Sequence, residues 1–141
     1  MSSEASPVAG RFVNTTKLVR KTGFRTFVLD AEKRLVSVKF RRKVTIQDIE
    51  EYAAALRANP LFKPNFSEIV DMSEVKELDL KAEEFIRLAD EIDPFSVEAR
   101  RAFVVRNEIQ HHAARMHKIL RTQRNFAIFR SVEEAQRWIG A

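Results

Sequence analysis

The chain has 141 residues, 45% of them hydrophobic and 32% charged, which is enough for one buried core and too short to suggest two. It contains no cysteine, which excludes disulfides, thiolate metal sites and cysteine nucleophiles and is compatible with a reducing compartment. The opening MSSEASPVAG lacks a basic segment followed by an apolar one, and no later stretch approaches the roughly 18–20 continuous apolar residues of a membrane span, so a cytoplasmic protein with no membrane span is expected.

The net charge of +5 is unevenly spread. Residues 1–23 carry Arg11, Lys17, Arg20 and Lys21 against Glu4, which leaves +2 for the rest of the chain. That first segment is rich in Ser, Thr and Ala and poor in large apolar residues, so residues 1–23 read as a flexible basic leader and residues 24–141 as the domain. The alternative for this segment, a short arm for an acidic surface, lacks the aromatic interleaving and dense Lys/Arg blocks of phosphate-binding arms, so no nucleic-acid partner is expected.

From residue 24 the periodicity changes repeatedly. FRTFVLD and RLVSVKFR are β-rich runs joined by Ala31, Glu32 and Lys33, with Val36, Val38 and Phe40 on one face, and they read as a hairpin. Thr45 offers an N-cap with Asp48 three residues on, and Ile46, Ile49, Ala53 and Leu56 repeat at helical spacing as far as Asn59-Pro60. FSEIVDM reads as a buried strand. LKAEEFIRLADEI places Phe85, Leu88, Ala89 and Ile92 on one helical side, and RRAFVV supplies another strand. Asn107 with Gln110, and Ser131 with Glu134, mark two further helix starts around the strand NFAIF. The order ββαβαβαβα predicts an α/β layered domain with a mixed, mostly parallel sheet covered by helices. The glycines are Gly10, Gly23 and Gly140, so no glycine-rich phosphate loop follows a strand, and no cofactor is expected.

All three histidines fall in HHAARMH, residues 111–117, within the helix that starts near Asn107. If its core stripe is Ile109, Ala113, Met116 and Leu120, His111 points away from the core, and His112 and His117 are half-buried on opposite shoulders. No two of them have the i,i+3 or i,i+4 spacing that a shared metal on a helix needs, and no HExxH pattern is present, so no metal site is expected. Arg115 lies on the side away from that stripe and reads as a surface or salt-bridging arginine. Ser73, Ser96 and the acidic runs DLKAEEF and LADEID supply hydroxyls and acids, but no nucleophile elbow, paired-acid spacing or Ser/His/Asp pattern, so an enzyme is not expected.

RLVSVKFRRKVTIQDIEEYAAALRANPLFKPNFSEIVDMSEVKELDL, followed by ARRAFVV, AARMHKIL and the closing IFRSVEEAQRWIG, resembles the SpoIIAA-like family of small bacterial proteins, part of the STAS (sulfate transporter and anti-sigma-factor antagonist) fold group, over about residues 24–140. The resemblance implies a STAS-like sheet with helices on its faces and a non-catalytic docking or regulatory role. In the STAS antagonists a strand ending in Asp is followed by a turn and then by an Asp-Ser pair at a helix start, where the serine is phosphorylated. Here Asp71-Met72-Ser73 matches the strand end and Asp79 the Asp, but Leu80 and Lys81 follow, so the phosphoswitch is missing. Read from the residues alone, Asp71 is a strand-end or turn residue bonded to nearby amides and Asp79 a helix N-cap. The resemblance implies a partner-binding surface at Asp71, Ser73, Asp79, Leu80 and Lys81 for a protein partner. The alternative is an apolar small molecule or lipid in a pocket, since related sequences resemble lipid-binding SEC14-type domains; eleven phenylalanines are a generous apolar aromatic supply, although core packing explains them first. A homodimer is a further candidate assembly.

Overall fold

The computed structural model describes residues 11–14 and 17–140. A seven-stranded sheet is built with its strands in chain order, β1 (Arg11–Asn14), β2 (Lys17–Thr22), β3 (Arg25–Asp30), β4 (Leu35–Thr45), β5 (Ser67–Asp79), β6 (Arg101–Val104) and β7 (Phe126–Phe129). The first three pairings are antiparallel and the last three parallel. The sheet is thus evenly mixed rather than mostly parallel, because two strands precede the expected hairpin.

Those two strands lie in the segment assigned to a leader. β2 pairs with β3 along its whole length, from Lys17 opposite Asp30 to Thr22 opposite Arg25, and Leu18 is 3% exposed beside Leu29. The expectation of a leader therefore fails for residues 17–22, where one leucine and β-branched neighbours alternate well enough to extend the sheet. Residues 1–10, 15 and 16 lie outside the described residues.

β3 and β4 alternate buried and half-buried positions, and Val36, Val38 and Phe40 face the core as their spacing requires. Helix α1 (Ile46–Ala58) begins at Thr45, whose hydroxyl accepts from the Asp48 N–H at 3.3 Å while the Asp48 carboxylate accepts from the Thr45 N–H at 2.8 Å. The second helical segment is not one regular helix: α2 (Ala82–Arg87) continues as a π-helical turn over Leu88–Ile92. Helix α3 (Glu108–Arg121) starts at Asn107, whose side chain accepts from the Gln110 N–H, and α4 (Val132–Gly140) follows Ser131, whose hydroxyl accepts from the Glu134 N–H.

Because the parallel strands advance across the sheet in one direction, right-handed crossovers put every connecting helix on the same face. One core accordingly joins Phe27, Val38, Val70 and Phe103 of the sheet to Tyr52 and Leu56 of α1 and Ala114 of α3. On the opposite face α4 packs Ala135, Trp138 and Ile139 over Ile69, Ala102 and Val104. Among the described residues no helix is long and apolar enough to cross a membrane.

Two outcomes follow for β2. Hydrogen exchange will show protection of the β2 amides bonded to β3, and Leu18→Ala will lower the unfolding free energy by roughly 2–5 kcal/mol in urea titrations. Unprotected exchange throughout residues 17–22 would remove β2 from the folded unit.

Candidate functional site

Position 68 of β5 shares its face with Val70, and position 101 of β6 shares its face with Phe103, so both point beneath the helices. Those positions hold Glu68 and Arg101, neighbours in register, 1% and 3% exposed. The Arg101 Nε and Nη2 donate to Glu68 Oε1 at 2.9 and 2.7 Å. Its Nη1 donates to Asp93 Oδ2 at 2.5 Å and to Gln123 Oε1 at 3.1 Å. The guanidinium lies 4.7 Å from the Phe95 ring centre. Tyr52 of α1 donates its hydroxyl to Glu68 Oε2 at 2.7 Å, and His117 of α3 places Nε2 2.7 Å from Asp93 Oδ2.

Asp93 owes its position to the π-turn. Its N–H donates to the Leu88 carbonyl at 3.0 Å, five residues back, and its Oδ1 accepts from the Phe95 N–H at 2.9 Å. Arg121 stands beside it, with Nε 3.6 Å from Asp93 Oδ2. The cluster is therefore balanced in charge, Glu68 and Asp93 against Arg101 and Arg121, and each charged group is held by several partners.

These contacts fix protonation. Burial works against the Asp93 carboxylate, but Arg101, the hydrogen bond from His117 and the charge of Arg121 outweigh it and hold the acid far below its ordinary range. Burial likewise opposes the charged form of Arg101, and the two carboxylates overcome it and raise its pKa. For His117 burial wins over the bond to Asp93, so its pKa falls below the ordinary 6.5 and the ring is neutral at physiological pH. Burial, reinforced by the neighbouring Glu68 charge, raises the Tyr52 pKa well above its ordinary value.

Above this cluster lies a cavity of about 90 Å³. Tyr52, Glu68, Asp93, Arg101 and His117 form its polar floor, Phe40, Val44, Val70 and Met72 belong to its walls, and half-buried Leu78, Leu80 and Phe85 stand at its mouth. On the helix side it is lined by Ile49, Leu88 and Pro94 together with the small residues Ala53, Ala113 and Ala114. Among the described residues no group of three His, Cys, Asp or Glu side chains is gathered for a metal.

The residues of the expected partner surface fall in different places. β5 does not stop at Met72 but runs on to Asp79, because the end of β4 pairs with it and Lys39 and Lys43 meet Glu74, Glu77 and Asp79. Asp71 is therefore a mid-strand residue, buried in register with Val104 on the α4 side of the sheet, and its Oδ1 accepts from the Ser73 N–H at 2.9 Å. The Ser73 carbonyl accepts from Arg106. Asp79 is the last residue of β5 and not a helix cap; the residue before α2 is Lys81, whose N–H donates to Glu84 Oε1 at 2.8 Å. At about 3.3 Å per residue, Asp71 and Asp79 are roughly 25 Å apart. Of the five, Leu80 alone lines the cavity.

The histidines also differ from expectation. The buried face of α3 is Gln110, Ala113, Ala114 and His117, whereas Ile109 is 72% exposed and Leu120 is exposed. His117 is fully inside, His112 is exposed and His111 half-buried. The face is turned by about one residue, ~100°, from the apolar stripe, which lets Gln110 donate to the Val75 carbonyl and His117 reach Asp93 while Ala113 and Ala114 pack inward. Arg115 is exposed, as its placement away from the core required.

The mixed sheet, three helices on one face and one on the other define a SpoIIAA-like, STAS-type α/β fold. A solved structure of an uncharacterized protein from the DUF3478 family of Shewanella loihica PV-4, described as having a SpoIIAA-like fold, superposes with a TM-score of 0.54 at 19% sequence identity, covering 92% of this chain and 99% of that one. No family model matches the sequence, and no curated protein matches it.

Removal of the central cation should be severe. Arg101→Met leaves two buried carboxylates without their main partner and is expected to cost roughly 3–5 kcal/mol in urea unfolding. A loss below about 1 kcal/mol would show that the cluster is not desolvated as described.

The pH profile has a defined sign. As pH falls below 6.5 the unfolded chain protonates its histidine while folded His117 resists, so stability declines until the folded imidazole itself titrates. Asp93 is held ionised in the folded state, so a second loss begins as pH falls through 3.8, where the unfolded carboxylate takes up its proton. Urea midpoints measured against pH should show the first step in the unmodified protein and lose it in His117→Gln; an identical step in the variant would assign it to another group.

Proposed function

We propose that this domain is a non-catalytic binding module that takes an apolar small-molecule group into the cavity beneath α1, α2 and α3. The observation that carries this reading is the cavity itself: apolar walls, a rigid charge-balanced floor and a mouth at Leu80 and Phe85. Ligand sites combine mostly apolar linings with a few fixed polar groups, which is the composition found here. The polar groups are committed to one another, which favours holding a ligand over proton transfer or nucleophilic attack. About 90 Å³ corresponds to the space of roughly three waters, so a larger molecule would extend through the mouth.

Docking of a protein partner at the same rim is the second reading. Ile86 is 51% exposed one residue beyond Phe85, so an apolar side chain of a partner would find an apolar approach to the mouth. Leu80, where the related antagonists carry a phosphorylatable serine, would then leave the surface permanently available.

Toluene is a suitable probe. Its addition should shift the NMR resonances of Val70, Met72 and Phe103, and Leu80→Glu, which sets a charge at the mouth, should weaken that binding at least tenfold while the half-buried position lets the fold survive. Shifts that are absent, or scattered over the surface, would exclude the cavity as a ligand site.

A further inference from the structure

A second cleft, of about 270 Å³, shares no lining residue with the apolar cavity. Phe24, Arg41, Arg42, Glu74, Lys76 and Arg106 line it, so four of its six residues are cations. Its one acid is already engaged: Lys39 Nζ lies 2.6 Å from Glu74 Oε2, and that bond holds the carboxyl below its ordinary range. Among the described residues none of the four cations forms an ion pair, so the cleft gathers positive charges that repel one another and have no carboxylate of their own.

The backbone is bent to bring two of them together. Regular alternation along β4 would set position 42 on the face of Phe40 and Val44, which is the core. Instead the register against β5 shifts on both sides of Arg41 and Arg42, and Arg42 takes a φ of 64°, in the left-handed region. Arg42 is thereby exposed and lines the same cleft as its neighbour Arg41. Glycine adopts that conformation freely and arginine does so only with strain, and strain of this kind is kept where a side chain is needed in place. The other contacts aim the cations rather than neutralise them. The Arg42 guanidinium lies 5.1 Å from the Phe24 ring centre, Arg41 Nη2 donates to the Thr26 hydroxyl at 3.2 Å, and Arg106 Nη1 donates to the Ser73 carbonyl at 3.3 Å. Each arginine keeps further N–H groups for an acceptor.

We propose that this cleft is a binding site for an oligophosphate group, with Arg41, Arg42 and Arg106 donating to its oxygens and Lys76 adding charge. The site is independent of the apolar cavity. A single carboxylate would answer one of the four charges, whereas linked phosphates carry several charges and offer acceptor oxygens to several guanidinium forks at once. Side-chain cations here do the work that backbone amides do in a glycine-rich loop.

Tripolyphosphate, inorganic phosphate, citrate and ATP are the probes, added to the full chain at physiological salt, where general attraction to a basic protein is screened. Tripolyphosphate should bind about tenfold more tightly than phosphate or citrate, the scale of one additional charge-assisted pair. Arg106→Gln and Arg42→Gly should each weaken it about tenfold, and Arg115→Gln, in a different cleft beside β7, should leave it unchanged. Arg42→Gly carries a second readout. Glycine holds a φ of 64° without strain, so this variant should bind less and yet melt no lower than the unmodified protein. A lower melting temperature, or binding left in place, would overturn the role given to Arg42. Phosphate or citrate binding as tightly as tripolyphosphate would overturn the oligophosphate class. An equal loss in Arg115→Gln and Arg106→Gln, or no binding of any probe, would overturn the site. ATP separates the sources of the group: binding at least as tight as tripolyphosphate supports a nucleotide as its carrier, and weaker binding supports a free phosphate chain.

Discussion

The guanidinium of Arg101 is the contact on which the remaining structure converges. Through it and its partners β5, β6, α1, the residue after the π-turn, α3 and the segment after α3 are joined inside the core. Placing these charges in the interior costs several kcal/mol each, and the cost is recovered only when every partner is present at once. The arrangement is therefore selective. A one-residue slip between β5 and β6 would turn Arg101 toward α4 and leave Glu68 alone beneath the helices, so the ion pair fixes the strand register more sharply than interchangeable valines and isoleucines would.

The same cluster explains why the interior holds a cavity. A hydrogen-bonded floor cannot move to meet the side chains above it, and across from it α1 and α3 present Ala53, Ala113 and Ala114. Three small residues facing a fixed surface leave space that larger aliphatic side chains would have filled. The π-turn contributes as well, because its wider bond from the Asp93 N–H to the Leu88 carbonyl delivers Asp93 to the cluster directly after Ile92 has been buried against Ala53.

Much of the framework was legible in the sequence because it rests on local rules: the capping pair Thr45 and Asp48, the alternation in β3 and β4, and the cap residues Asn107 and Ser131. The elements that escaped depend on distant partners. β2 has little local hydrophobic signal and is specified by pairing with β3. The run SEVKELD looks like a polar connection, yet it is a strand because lysines of β4 stand opposite its acids. The candidate site was the least legible part, since apolar periodicity directs attention away from polar residues. Gln110 and His117 occupy the inner face of α3 although Ile109 and Leu120 carry the apolar pattern. A signal was present nonetheless: Glu68 shares parity with Val70 and Met72 in β5, and Arg101 with Phe103 in β6, so opposite charges stood at core positions of two adjacent parallel strands. Nothing local marked Asp93, which reaches the cluster only through the π-turn.

A shared fold leaves the function to the site built on it. In an antagonist-type surface, a serine at the start of the helix lets phosphate change the charge of a docking face. Leu80 has no such chemistry, and its side chain belongs to the wall of an apolar cavity instead. With β5 extended to Asp79, the strand end that would have carried the acidic half of a switch is also displaced from Asp71 by the length of eight residues. The two changes act together: Leu78 near the end of the extended strand, Leu80 just beyond it and Phe85 of the short α2 all line the cavity. The segment that carries charge in a phosphoswitch thus contributes apolar side chains to the lining of an internal cavity here.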